Sequence, residues 1–343
     1  MRRLSLYLVA ILVVVALGVL LMRSSDSAGV ESVAAEPATH RAIAENSMRR
    51  FELPAKRDRQ NCVEMEIRCG DRVNYTALYD TERYASLWVA YSLTGDDMGD
   101  VKRPTSWSYN PQLSISKQVN LCSRSYNDGY SRGHLIPNAS RNARREVQEQ
   151  TFYVTNSVPQ IQDRFNGGVW MHLESAVQQY AEHEPLYVTT GVVFEPVGES
   201  CEVGYTTAKD DTKRVPVPNY FYKVVLSVER NASGKIVDAD AIGFWFEHRQ
   251  YSDKYYNYAM SVDEVERLTG FDFFASLPDD VEARAERSTN NFLRYSNAHK
   301  KAPNHSFGAF LCLEPMSLPR PCAYAILLSL SGCISHRTSP LTY

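Results

Sequence analysis

A change of period around Gly167-Gly168 restricts the fold more than any other feature of the chain. Downstream of it, Trp170, Leu173, Val177 and Tyr180 recur at helical spacing, which predicts a helix with one apolar face. Elsewhere β-rich runs dominate, at residues 87–93, 186–193, 221–228 and 239–246. A second helix is marked by the capping box Ser261-Val262-Asp263-Glu264, with Val265 and Leu268 facing inward and Gly270 stopping it. Strands outnumber helices and the two kinds do not alternate regularly. The pattern therefore predicts an α+β fold with a largely antiparallel sheet.

At 343 residues the chain can bury a sizeable core in one large domain or two small ones. Its 44% hydrophobic and 22% charged residues exclude only disordered and fibrous classes. The formal net charge of -3 argues against a uniformly basic nucleic-acid binder. Charge is uneven, however: residues 101–170 hold nine Lys/Arg against four Asp/Glu, a local excess of +5. A phosphate backbone needs such a surface, although Arg141, Arg144 and Arg145 alone would also fit a solvated helix face.

Arg2 and Arg3 precede an uncharged apolar run at residues 4–22, closed by Arg23. Its length is near that of a membrane span and exceeds a signal-peptide core of about 7–15 residues. The expectation is a signal anchor, a transmembrane helix over residues 1–23, with everything after it extracytoplasmic or lumenal. Secretion after cleavage, or the mitochondrial intermembrane space, are the alternatives. Residues 24–60 read as a flexible tether, 61–300 as the folded domain, and 301–343 as a tail of unassigned role. Seven cysteines suit an oxidising compartment, and Cys62 with Cys69 is expected to close a short disulfide loop. Glycosylation sequons occur at Asn74, Asn138, Asn231 and Asn304.

Three stretches carry chemistry: Tyr130-Ser131-Arg132-Gly133-His134, then Thr151-Phe152-Tyr153-Val154-Thr155-Asn156, then Phe165-Asn166 through Trp170 to Glu174. Together they supply an imidazole, a guanidinium, an amide oxygen suited to a hard cation, and a carboxylate. Cutting a phosphodiester needs a base for the nucleophile, neutralisation of the non-bridging oxygens, and help for the leaving oxygen. His134, followed by Leu135-Ile136-Pro137, belongs at a strand or turn boundary, where a lone histidine is usually structural. With Arg132, Asn166 and Glu174 beside it, a neutral base is the better reading. Asn166 could equally cap the following helix, and Glu174, two turns further on, could be a solvated carboxylate.

The chain resembles the DNA/RNA non-specific endonuclease family. The resemblance rests on Ser131-Arg132-Gly133-His134, Thr151-Phe152, Asn156-Ser157-Val158-Pro159-Gln160, and Asn166 with Trp170, Leu173 and Glu174. Trp88-Val89-Ala90-Tyr91, Tyr222-Lys223-Val224 and the segment around Asp263-Glu264 add to it, over roughly residues 75–295. It implies a ββα-metal core on a central antiparallel sheet and a magnesium ion, with manganese as a substitute. DNA and RNA are the implied substrates; oligomeric state is not implied. His134 resembles the general base, Asn166 the metal ligand, and Glu174 the carboxylate that orients water around the metal. Arg132 and Arg103 resemble the phosphate-binding arginines, and Asn156 the asparagine that supports the site. Two departures stand out: Ser131 replaces an Asp, and Gln178 stands where many members carry Arg. The second reading they leave is a catalytically weak member that binds nucleic acid or a protein partner.

Overall fold

The structure, a computed structural model, describes residues 50–295. Eleven strands and four α-helices are placed among these residues. The strands are β1 (Cys62–Cys69), β2 (Arg72–Asp80), β3 (Ala85–Leu93), β4 (Tyr130–His134), β5 (Ser157–Ile161), β6 (Leu186–Val193), β7 (Tyr205–Thr206), β8 (Val215–Pro216), β9 (Tyr220–Arg230), β10 (Ile236–Glu247) and β11 (Ala259–Met260). The helices are α1 (Arg145–Gln150), α2 (Met171–Ala181), α3 (Val262–Thr269) and α4 (Asp279–Arg287).

Seven strands form one sheet in the order β1-β2-β3-β6-β9-β10-β11, and every neighbouring pair is antiparallel. The mixed fold and large antiparallel sheet agree with the sequence pattern. β2, β3, β6 and most of β9 are buried on both faces, so they read as continuous apolar runs rather than alternations. All four β-rich runs fall within strands β3, β6, β9 and β10. β4 and β5 form a separate antiparallel ribbon with His134 opposite Ser157. Chain order then runs from β5 through an irregular segment, Gln162–Trp170, into α2, giving a β-β-α succession.

Both predicted helices are present. Trp170, Leu173 and Val177 are essentially sealed, so the apolar stripe of α2 faces the core. For α3, the Ser261 hydroxyl accepts the Glu264 N–H at 3.3 Å, and Gly270 ends the helix at φ 68°, the left-handed region glycine tolerates. α3 and α4 pack on each other and on β10.

Three expectations change. Cys62 and Cys69 do not form a disulfide: they stand at opposite ends of β1, and all four described cysteines are free thiols. Seven steps of strand hold their Cα atoms about 23 Å apart, far beyond the roughly 7 Å a disulfide spans. Packed structure also begins upstream of residue 61, since Phe51 is fully buried and Thr189 donates to the Glu52 carbonyl. Finally, Asn74 cannot present a glycan from the folded protein, because its amide is 1% exposed and bonded to Val147, Gln150 and Arg141. The apolar run at residues 4–22, most of the tether, the Asn304 sequon and the tail lie outside the described residues. Among the described ones, no helix is long and apolar enough to cross a membrane.

Candidate active site

Along β4 successive side chains alternate, so Arg132 and His134 share one face of the ribbon. Gly133 lies between them because nothing larger fits. A β-carbon there would sit 2.2 Å from the Gln160 side-chain oxygen and 2.6 Å from its Cβ, on the paired strand. The His134 ring is held between two buried aromatics, with ring centres 4.6 Å from Trp107 and 4.9 Å from Phe152. Each aromatic carries an arginine on its own account: Arg132 lies 5.3 Å from the Trp107 centre and Arg103 5.1 Å from that of Phe152. The Arg132 Nη1 also donates to the Leu121 carbonyl at 2.7 Å, fixing the guanidinium.

Burial, then repulsion from Arg103 and Arg132, lowers the His134 pKa to about 3. The imidazole is therefore neutral at any working pH. Its Nε2 is buried without a hydrogen-bond partner. No hydrogen bond reaches Nδ1 either, yet that nitrogen is not among the sealed atoms, so it is the accessible one.

Asn156 is fully buried and spends its whole amide on the chain that follows His134. Its Oδ1 accepts the Ile136 N–H at 3.0 Å, and its Nδ2 donates to the carbonyls of Ile136 and Thr151. Buried and bonded to these backbone groups, it ties the backbone after His134 to that of Thr151.

The structure corrects the relation of Asn166 to Glu174. They do not share a continuous helix: Asn166 lies in the Gln162–Trp170 segment, broken at Gly168 (φ -137°, ψ -114°), and Glu174 lies on α2. Nor does the Asn166 side chain cap a helix. Its Nδ2 donates to the Ser131 hydroxyl at 3.1 Å and to Gln162 Oε1 at 3.0 Å. Both amide hydrogens are thus committed, and Oδ1 is the atom left for a cation. Ser131 in turn donates to the Gln160 carbonyl at 2.9 Å. The segment is anchored by His248, whose Nε2 accepts the Ile161 N–H while Nδ1 bonds the Pro218 carbonyl.

Glu174 faces a buried lysine that the sequence did not single out as functional. Burial pushes the Glu174 carboxyl up, while Lys223, the Trp170 indole and Arg103 hold it down. Lys223 is itself wholly buried; its ammonium donates to Thr190 and lies 5.0 Å from the Trp170 ring centre. Lys223 entered the sequence reading only within the Tyr222-Lys223-Val224 match, with no role attached, and Trp107 carried no signal at all.

The structure thus gathers Arg103, Arg132 and His134 around one aromatic pair. Glu174 lies within electrostatic reach of Arg103, and Asn166 is tied to Ser131, a β4 residue near His134. It does not expose the whole basic segment. Arg141 is buried, bonding Asn74, Ser140 and Ser92, with Asp97 at 3.7 Å. Lys117 and Arg124 pair with Glu82 and Asp210. An open groove of about 530 Å³ runs beside Trp107, and its cations are Lys102, Arg103 and Arg145. Gln178 donates to the Ser140 hydroxyl at 3.2 Å.

Residues 65–280 match the model of the DNA/RNA non-specific endonuclease family. A nuclease of Nostoc sp. is 26% identical over 222 residues, covering 63% of this chain and 77% of its own. Nuclease 1, mitochondrial, of Schizosaccharomyces pombe is 25% identical, covering 60% of this chain and 66% of that one. Nuclease EXOG, mitochondrial, of Mus musculus is 29% identical, covering 62% and 58%. Among solved structures, one described as an EndoG/EndoGI complex superposes with a TM-score of 0.50 at 20% identity, covering 72% of this chain and 96% of that one. The chain therefore belongs to the DNA/RNA non-specific endonuclease family, and residues 65–280 are a nuclease domain of that family.

Proposed function

We propose that the protein is a magnesium-dependent endonuclease that hydrolyses phosphodiester bonds in both DNA and RNA, with His134 as general base. The observation that carries this reading is the neutral imidazole clamped by Trp107 and Phe152 between two arginines. Nδ1 of His134 takes a proton from the attacking water. Nε2 keeps its own hydrogen, directed into the aromatic pocket, and the rigid ring loses little entropy as it acts. Arg132 and Arg103 contact the phosphate and stabilise charge that grows on its non-bridging oxygens.

The free Oδ1 of Asn166 fits a hard cation that takes few protein ligands, and Glu174 would orient water around it. Such an ion would supply charge neutralisation at the phosphate and leaving oxygen. Lys223 partly offsets the rise that burial imposes on the Glu174 carboxyl. The apolar run at residues 4–22 supports a membrane-tethered placement of the domain.

Every proposed contact goes to phosphate, water or cation, and none to a base edge, so sequence is not read. Arg132→Ala should slow cleavage of double-stranded DNA, single-stranded DNA and RNA by similar factors, measured as initial rates on each. An effect confined to one substrate, or strong preference for a short sequence, would sink the reading.

A further inference from the structure

A second concentration of ionisable groups lies on the pair α3 and α4, and the nuclease reading uses none of it. Asp263 and Glu266 stand one turn apart on one face of α3. Glu286 comes from the last turn of α4. One carboxylate oxygen from each lies within 4.8 Å of the other two. Glu286 is 5% exposed, and its Oε1 is sealed from solvent with no hydrogen-bond partner. Glu266 Oε1 accepts the Phe273 N–H at 2.6 Å, which fixes that side chain. Among the described residues, neither these three nor Glu282 makes an ion pair. Arg267 is taken by Glu264, Arg284 by Asp280 and Asp238, and Arg57 by Asp272.

A buried carboxylate with a partnerless oxygen, on a side chain that meets other carboxylates, is costly unless a cation or a proton joins them. We propose that Asp263, Glu266 and Glu286 form a binding site for a hard divalent cation of the calcium class, tying α3 to α4. Calcium takes six to eight oxygens at about 2.3–2.6 Å, so the oxygens around one ion lie within about 5 Å of one another, as these three do. Magnesium usually keeps several waters and takes one or two carboxylates, whereas three converging carboxylates suit calcium. Water completes the shell on the exposed side of Asp263. Burial, and then repulsion from Glu266 and its acidic neighbours, pushes the Glu286 carboxyl up to about 9, in line with a cluster missing its counter-charge.

The test is thermal unfolding of the full chain, stripped with chelator and titrated with calcium, with calorimetry of the same titration. Saturating calcium should raise Tm by about 5 °C. Glu286→Gln, and separately Asp263→Asn with Glu266→Gln, should abolish both the shift and the binding heat, whereas Asn166→Ala should keep them. The second variant guards against Glu286→Gln failing to fold, since Asp263 is exposed and Glu266 half-buried. No calcium shift in the unaltered chain would overturn the proposal. So would a full response in the carboxamide variants, or loss of the response in Asn166→Ala. If Glu286→Gln instead stabilised the chelated protein while the unaltered chain ignored calcium, a shared proton rather than a cation would hold the cluster, again overturning it.

Discussion

The Asn166 amide has both hydrogens spent on neighbours, and that one detail sets which atom a metal can reach. Ser131, which stands where the family carries Asp, has a hydroxyl that accepts from the Asn166 amide and donates to the Gln160 carbonyl. Ser131→Ala should therefore raise the magnesium needed for half-maximal cleavage by about 10–100-fold, while leaving the rate at saturating metal largely intact. Metal demand should also depend on pH. Burial raises the Glu174 pKa toward neutrality, so lowering the pH adds a proton that must leave before the carboxylate can serve a cation. The half-saturating magnesium concentration should climb as pH falls from 8 to 6, and a flat profile would remove Glu174 from the metal site. The candidate His134, Asn166 and Glu174 were legible because the reaction dictates their types. Lys223 and Trp107 were not, since a lysine in an apolar strand and a lone tryptophan declare no purpose until the fold shows what they face.

Among the elements, the β4–β5 ribbon does most to shape the site. It carries Ser131, Arg132 and His134, and its close pairing depends on Gly133 against Gln160. Gly133→Ala must force the ribbon apart, with an expected stability loss of about 1–3 kcal/mol and a larger loss of activity, read from chemical denaturation and cleavage rate. An unchanged rate would mean that the ribbon's spacing does not control the imidazole. The sheet strands could be read from sequence because burial on both faces leaves continuous apolar runs. β1 was missed although Met65 and Ile67 alternate with Glu64, Glu66 and Arg68, the period of a half-buried strand. The two cysteines at its ends suggested a loop instead. The Gln162–Trp170 segment could not be read either, because its path depends on Arg164 at φ 56°, on Gly168, and on the distant His248 holding Ile161.

For the whole molecule, charge on the surface matters more than charge in the sequence. Part of the basic excess at residues 101–170 is paired, Arg141 inside the fold and Lys117 and Arg124 with acids at the surface, while Lys102, Arg103 and Arg145 line the groove beside Trp107. Placement in the cell is a separate question that residues 4–22 pose. If they anchor the chain, the nuclease domain should sediment with membranes and resist protease added from the cytosolic side. A soluble protein with a new amino terminus shortly after Met22 would contradict the anchor. The central claim is that a neutral His134 performs metal-assisted hydrolysis. The most direct measurement is cleavage of plasmid DNA and of RNA by purified protein and its folded His134→Ala variant, each with magnesium and with chelator. The account predicts a rate loss of about 10²–10⁴-fold in the variant and no cleavage by either protein in chelator. Retention of more than roughly a tenth of the rate without the imidazole, or full activity in chelator, would contradict it.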